Sequence, residues 1–220
     1  MKKLIETIKN IFKIEELRKR ILFTLALILV YRFGSFVVIP GINPEALQAL
    51  QSQVEGNGLM GLLNIFSGGA FSNASIFALG IMPYISASIV IQLMGIVVPY
   101  FQKLQKEGES GRRKINQWTR YLTIIVLLLQ GPAYLANLHA QLPDAAFVLG
   151  RGSVLFTVSA TIVLIAGTMF VMWLGEKITD KGIGNGVSLI IMVGIIARLP
   201  HALMAELNTR FTEATGGLVM

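Results

Sequence analysis

The sequence predicts an all-α membrane protein with five transmembrane helices and a re-entrant segment between the first and second. Three observations lead there. Composition is the first: 54% of the 220 residues are hydrophobic and 14% are charged, against about 25% charged in an ordinary soluble domain, and the mean hydropathy is +0.66. The second is a set of five long apolar runs, falling at about 21–39, 76–98, 118–138, 153–175 and 185–204. Each is near the roughly 20 residues that a helix needs to span a bilayer. The third is a stretch without a single charge, FSGGAFSNASIFALGIMPYISASIVIQL, Phe66 to Leu93.

Residues 1–20 hold Leu4, Ile5, Ile8, Ile11, Phe12 and Ile14 at near-helical spacing with lysines between them, the pattern of an amphipathic helix on a membrane surface. Glu6, Glu15 and Glu16 count against a transit peptide. The first run is too long for the apolar core of a cleaved signal peptide, and no small-x-small site follows Pro40. It carries Arg32, which at the bilayer centre would cost about 2.5–3.5 kcal/mol. The arginine therefore either snorkels to the surface or finds a partner inside the bundle. Pro40-Gly41 and Asn43-Pro44 end the run with turn chemistry, and residues 44–53 read as a short surface helix.

Leu59 to Phe66 is apolar but only eight residues long, and Gly68-Gly69 breaks it. A segment too short to cross, joined to a run that can, enters the membrane and returns. Such backbone is tolerated only where protein or a water-filled cavity surrounds it, so the arrangement implies a pore. Ser72-Asn73 offers a cap for the second helix, and Pro83 is expected to kink it. Ser86, Ser88 and Gln92 form a mildly polar stripe that either packs against a neighbour through small residues or lines a cavity. Asn73-Ala74-Ser75 matches a glycosylation sequon by chance. KEGESGRRK, Lys106 to Lys114, reads as a hydrophilic turn in which Gly108 and Gly111 prevent one rigid helix. Lys106, Arg112, Arg113 and Lys114 suit either retention on the inner side or docking of an acidic or nucleic-acid partner. GIGNG, Gly182 to Gly186, lacks the spacing of a dinucleotide loop and follows a membrane helix, so it reads as a turn that lets two helices meet closely.

Charge placement gives the orientation. Lysine and arginine crowd the amino terminus, the connection after the second run, and Lys177 and Lys181 after the fourth. Residues 40–75 contain neither, and the third connection has only Arg151. The amino terminus is therefore expected in the cytoplasm, and residues 205–220 outside as a tail. The absence of cysteine excludes disulfides and thiolate metal sites. His139 and His201 are too far apart for a metal site and read as surface residues.

Four runs carry a resemblance to a known family: YRFGSFVVIPGI, the Phe66–Leu93 stretch, KEGESGRRKINQWTRY and GTMFVMWLGEKITDKGIGNGVSLII. Over residues 18–200 the chain resembles the amino-terminal half of the SecY family of protein-conducting channels, related to the eukaryotic Sec61 alpha subunit. The resemblance implies one half of a ten-helix channel built from two inverted repeats. It makes residues 59–72 the plug, including Leu62, Leu63, Asn64, Ile65, Phe66, Ser67, Gly68 and Gly69. It assigns Ile81, Ile85, Val187 and Ile191 to the apolar pore ring, and Ser86, Ser88 and Gln92 to the lateral gate. By spacing alone, the four aliphatic residues would be ordinary core or lipid-facing positions. The implied function is translocation of unfolded polypeptides across the bacterial plasma membrane and insertion of membrane proteins into it. Implied partners are SecE, SecG, the motor ATPase SecA or a ribosome, signal sequences, and a second half-channel, since the second repeat is absent from this chain. No cofactor and no enzymatic activity are implied.

Two other functions compete on composition alone. Half of an ion-coupled secondary transporter would carry ionisable residues at mid-membrane, and runs two to five have none in their interiors. A membrane enzyme would need an acid, base or metal within reach of substrate. Glu176 and Asp180 are the available candidates, and they read as solvated partners of Lys177 and Lys181.

Overall fold

Among the described residues, seven α-helices stand at or near the predicted apolar runs. The structure, a computed structural model, describes residues 13–47, 58–148, 150 and 153–212. The helices are α1 (Glu15–Gly34), α2 (Gly58–Phe66), α3 (Met82–Val97), α4 (Pro99–Lys106), α5 (Glu109–Gln141), α6 (Val154–Lys181) and α7 (Gly186–Thr212). Among the described residues there is no strand, and two isolated bridges join Val38 to Ser75 and Ile42 to Phe147. The amphipathic reading of Leu4–Phe12 lies outside the described residues. So does most of the surface helix expected over 44–53, of which a 3-10 turn at Pro44–Ala46 is seen. The expected external tail begins as helix, since α7 continues to Thr212.

Helix α1 ends before the first apolar run does and α3 begins after the second has started, for a reason visible in the backbone. Helix α1 stops at Gly34, where a side chain would overlap the Phe77 ring. After a turn at Ser35–Phe36, residues 37–39 pair with the chain before α3: Ile39 N–H donates to the Ala74 carbonyl (2.9 Å) while Ile76 N–H donates to that of Val37 (2.9 Å). The start of the second run is thus spent on pairing with the end of the first, and α3 begins only at Met82. Pro83 occupies its first turn, where a missing N–H costs nothing, so it starts the helix instead of kinking it. Ser72 and Asn73 do not cap α3, whose cap residue is Ile81; the Ser72 hydroxyl donates to the Gly69 carbonyl instead (3.2 Å). Ser75 of the sequon is fully buried and accepts the Phe77 N–H (3.2 Å).

At the other end of α3 the chain turns through 98° into α4. Pro99 opens α4, whose Phe101 and Leu104 pack on Ile91 of α3 and on Ile115. The KEGESGRRK segment is not one rigid helix, as expected, because Gly108 (φ +68°) makes the turn; Gly111, contrary to expectation, sits inside α5. A Cβ at Gly111 would collide with the Leu104 carbonyl, so the glycine sets the close approach of α4 to α5.

Helices α5 and α6 are long and apolar enough to cross a membrane, and the uncharged part of α7 spans Gly186–Pro200. They pack through small residues, Gly131 against Thr161 and Gly175 against Val187 and Ile190. The GIGNG turn behaves as read from sequence: a side chain at Gly186 would overlap the Gly175 carbonyl, and the Thr24 hydroxyl accepts the Ile183 N–H (3.1 Å). His139 is not a surface residue, because its ring stacks on Phe147 with centroids 4.5 Å apart. Glu176 pairs with Arg120 across α5 and α6, not with the neighbouring lysines.

Candidate functional site

The site is assembled where α1, α3, α6 and α7 meet. Ile81 is buried there with Tyr31, Phe77, Val171, Leu174, Ile178 and Ile190, and Ile85, Val187 and Ile191 pack against the same cluster. Residues 81 and 85, like 187 and 191, lie one helical turn apart, so each pair presents one face. Four branched side chains from two distant parts of the chain therefore share one apolar patch. None of them can hydrogen-bond a passing chain, and branched apolar groups that close together exclude water and ions.

Beside this patch lies the segment read as re-entrant. Helix α2 presents Leu62, Ile65 and Phe66 to the exterior, with Leu63 half-buried. Asn64 is buried, although it stands in an otherwise apolar helix. Its Oδ1 accepts the Ser72 N–H (3.1 Å), and its backbone carbonyl accepts the Gly69 N–H (2.8 Å). Ser67 adds to the same turn by donating to the Asn64 carbonyl and accepting the Phe71 N–H. Gly68 (φ +65°) and Gly69 (φ +91°) adopt backbone conformations that strain other residues. The return of the chain is thus built by side chains that replace water as hydrogen-bond partners.

Arg32 finds its partner inside the protein, which settles the alternative left open by sequence. Its Nη1 donates to the Gly68 carbonyl (2.7 Å), and its guanidinium lies over the Phe36 ring at 5.1 Å. Tyr31 donates to the Ser67 carbonyl (3.3 Å), and Arg198 donates to the Ser72 hydroxyl (2.9 Å). Sequence reasoning missed Arg198 because it follows the apolar part of the fifth run and reads as a helix-end charge.

The polar stripe on α3 divides. Ser88 and Gln92 share a face and are bonded to each other (3.2 Å), at an exposed position. Ser86 is about 200° around the helix from Ser88 and lines a half-open apolar cavity of about 350 Å³ with Met60, Leu63, Met82, Gln130 and Asn137. At the far end of the molecule Lys106, Arg112, Arg113 and Lys114 are all exposed. Arg113 pairs with Glu109 (2.7 Å) and Lys114 with Glu107 (3.7 Å), which offsets part of the positive face. Among the described residues no group of three or more His, Cys, Asp or Glu could hold a metal.

Comparison with known proteins places this arrangement. The SecY family model matches residues 75–220. A protein translocase subunit SecY from Streptomyces scabiei is 48% identical over 198 residues, covering 87% of this chain and 45% of its own. That of Escherichia coli K12 is 50% identical over 188 residues, covering 86% and 42%. The chain thus spans less than half the length of these curated relatives. A solved protein-conducting channel aligns with a TM-score of 0.51 at 20% identity, over 91% of this chain and 38% of that one. Sec61 from the canine ribosome-channel complex of the endoplasmic reticulum aligns at 0.50 and 19% identity, over 91% and 39%. With its motifs, its all-helical fold and the matched family model in agreement, this membrane chain belongs to the SecY family.

Proposed function

We propose that this chain forms the amino-terminal portion of a passive protein-conducting channel, passing unfolded polypeptides across the bacterial plasma membrane and releasing membrane segments into it. The observation that carries the reading is the convergence of Ile81, Ile85, Val187 and Ile191 on one apolar patch beside a buried, hydrogen-bonded return turn. In this reading the four residues supply half or more of a constriction, and residues 59–72 close it as a plug. The apolar runs cross the membrane five times, with the amino terminus in the cytoplasm. The Ser88–Gln92 face belongs to a lateral gate, and Ser86 to the cavity behind it. Energy comes from partners: SecA or a ribosome docking on Lys106, Arg112, Arg113 and Lys114, with SecE, SecG and a second half-channel completing the wall. Glu176, one of the two acids an enzyme reading would call on, is engaged by Arg120.

The test uses native membrane vesicles from cells in which this chain is the only copy. A signal-bearing unfolded precursor should become protease-protected inside them on addition of the motor. Replacing both Ile85 and Ile191 by serine should wet the constriction and raise resting chloride flux several-fold. Vesicles that take up no precursor would overturn the reading.

A further inference from the structure

The plug assignment treats residues 59–72 as one moving piece, but the structure divides them. Helix α2 leaves Leu62, Ile65 and Phe66 exposed. In contrast, Ser67, Gly68, Gly69, Ala70, Phe71 and Ser72 are all buried. Four side chains from three other helices hold this second part, among them Tyr134 of α5, which donates to the Phe71 carbonyl (2.9 Å). From α1, Tyr31 reaches the Ser67 carbonyl and Arg32 the Gly68 carbonyl; from α7, Arg198 reaches the Ser72 hydroxyl. The two guanidinium groups bracket the glycine pair so closely that a Cβ at Gly68 would stand 3.1 Å from Arg32 Nη1. A Cβ at Gly69 would stand equally close, 3.1 Å, to Arg198 Nε and Nη2. The backbone of α7 is also in contact, since a Cβ at Gly194 would lie 3.0 Å from the Phe66 carbonyl and 3.3 Å from the Gly68 nitrogen.

We propose that Arg32 and Arg198 are positioning residues that fix residues 67–72 as a static seat, so that only helix α2 swings when the channel opens, about a hinge at Phe66–Ser67. This rests on the channel reading given above. Charge-assisted hydrogen bonds are the strong ones, and in a site shielded from water they are not readily exchanged. Helix α2, by contrast, is joined to the seat mainly through Asn64 and its own last turn. The hinge is placed at Phe66–Ser67 because there the exposed helix meets the buried turn, which side chains of α1, α5 and α7 hold in place.

The experiment measures resting chloride flux and precursor import in the same native vesicles. Arg32→Gln and Arg198→Gln should each raise resting flux several-fold, and Arg32→Lys, which keeps a charged donor, should restore part of the block. With a translocating precursor trapped in the channel, wild type and both variants should conduct alike, because α2 has already left its seat. A merely misfolded variant would keep its difference in that state. A second readout follows a spin label at Leu62 and another at Phe71: trapping the precursor should move the first and leave the second. Unchanged resting flux in both glutamine variants, or a label at Phe71 that moves as far as the one at Leu62, would overturn the proposal. Absence of precursor import in wild-type vesicles would instead sink the channel reading itself.

Discussion

Asn64 shows how one polar residue organises an apolar segment. Placed in a helix of leucine, isoleucine and phenylalanine, it reads in sequence as an anomaly, and nothing in the spacing says where its amide points. The fold gives the reason: the side chain closes an eight-residue return by accepting the Ser72 N–H. Replacing it with alanine leaves that buried N–H without its partner, at a cost of about 1–3 kcal/mol. Asn64→Ala should therefore lower the midpoint of thermal unfolding in detergent, whereas Leu62→Ala, at an exposed position, should move it far less. Arg32 was legible as a problem but not as a solution. Insertion energetics said that it needed a partner or a route to the surface. The partner is a backbone carbonyl of a turn in sequence-distant residues, and carbonyls leave no mark on a sequence pattern.

At the scale of elements, α6 and α7 begin close to where apolar patterning places them, whereas α5 starts at Glu109, well ahead of its apolar run. The first two runs were misread at their junction. Hydropathy cannot distinguish an apolar helix from apolar extended chain, and residues 37–39 and 74–76 are paired through main-chain groups. The amphipathic α4 was also missed, because its 98° bend falls at Pro99, in the shadow of a strong apolar run. Gly111 is the residue that permits this hairpin, through its contact with the Leu104 carbonyl. Gly111→Val should push α4 off α5 and expose the chain after Lys106. The expected outcome is faster tryptic cleavage at that bond in vesicles with the cytoplasmic face outward, with Gly108→Ala as a control for local turn strain alone.

For the whole molecule, the division of the α3 stripe separates two jobs that the spacing had merged. Ser86 lines the cavity shared with α2 and α5, while half-buried Ser88 and exposed Gln92 lie on another face. In the proposed channel that second face meets a second half-channel. A polar contact there lowers the barrier to opening, because water can replace what parting removes. Gln92→Leu should thus bias the gate closed, read as reduced export of precursors with weakened signal sequences against unchanged export of strong ones. Equal export of both classes would remove Gln92 from the gate. The fold class and the run order were legible because they rest on apolar patterning and long motifs. The arrangement of the seat was not, because it depends on individual hydrogen bonds between residues far apart in sequence.

The pairing of residues 37–39 with 74–76 has a consequence for how this family can vary. These bonds are made by main-chain groups alone, at Ile39–Ala74 and Ile76–Val37, so they ask almost nothing of the side chains beside them. They tie off the chain between them as a closed loop. Lengthening such a loop adds little closure entropy, about 0.6 kcal/mol for each doubling. A change in chain length between the two pairs therefore leaves α1 fixed against α3, so relatives can differ there in length and keep the same packing.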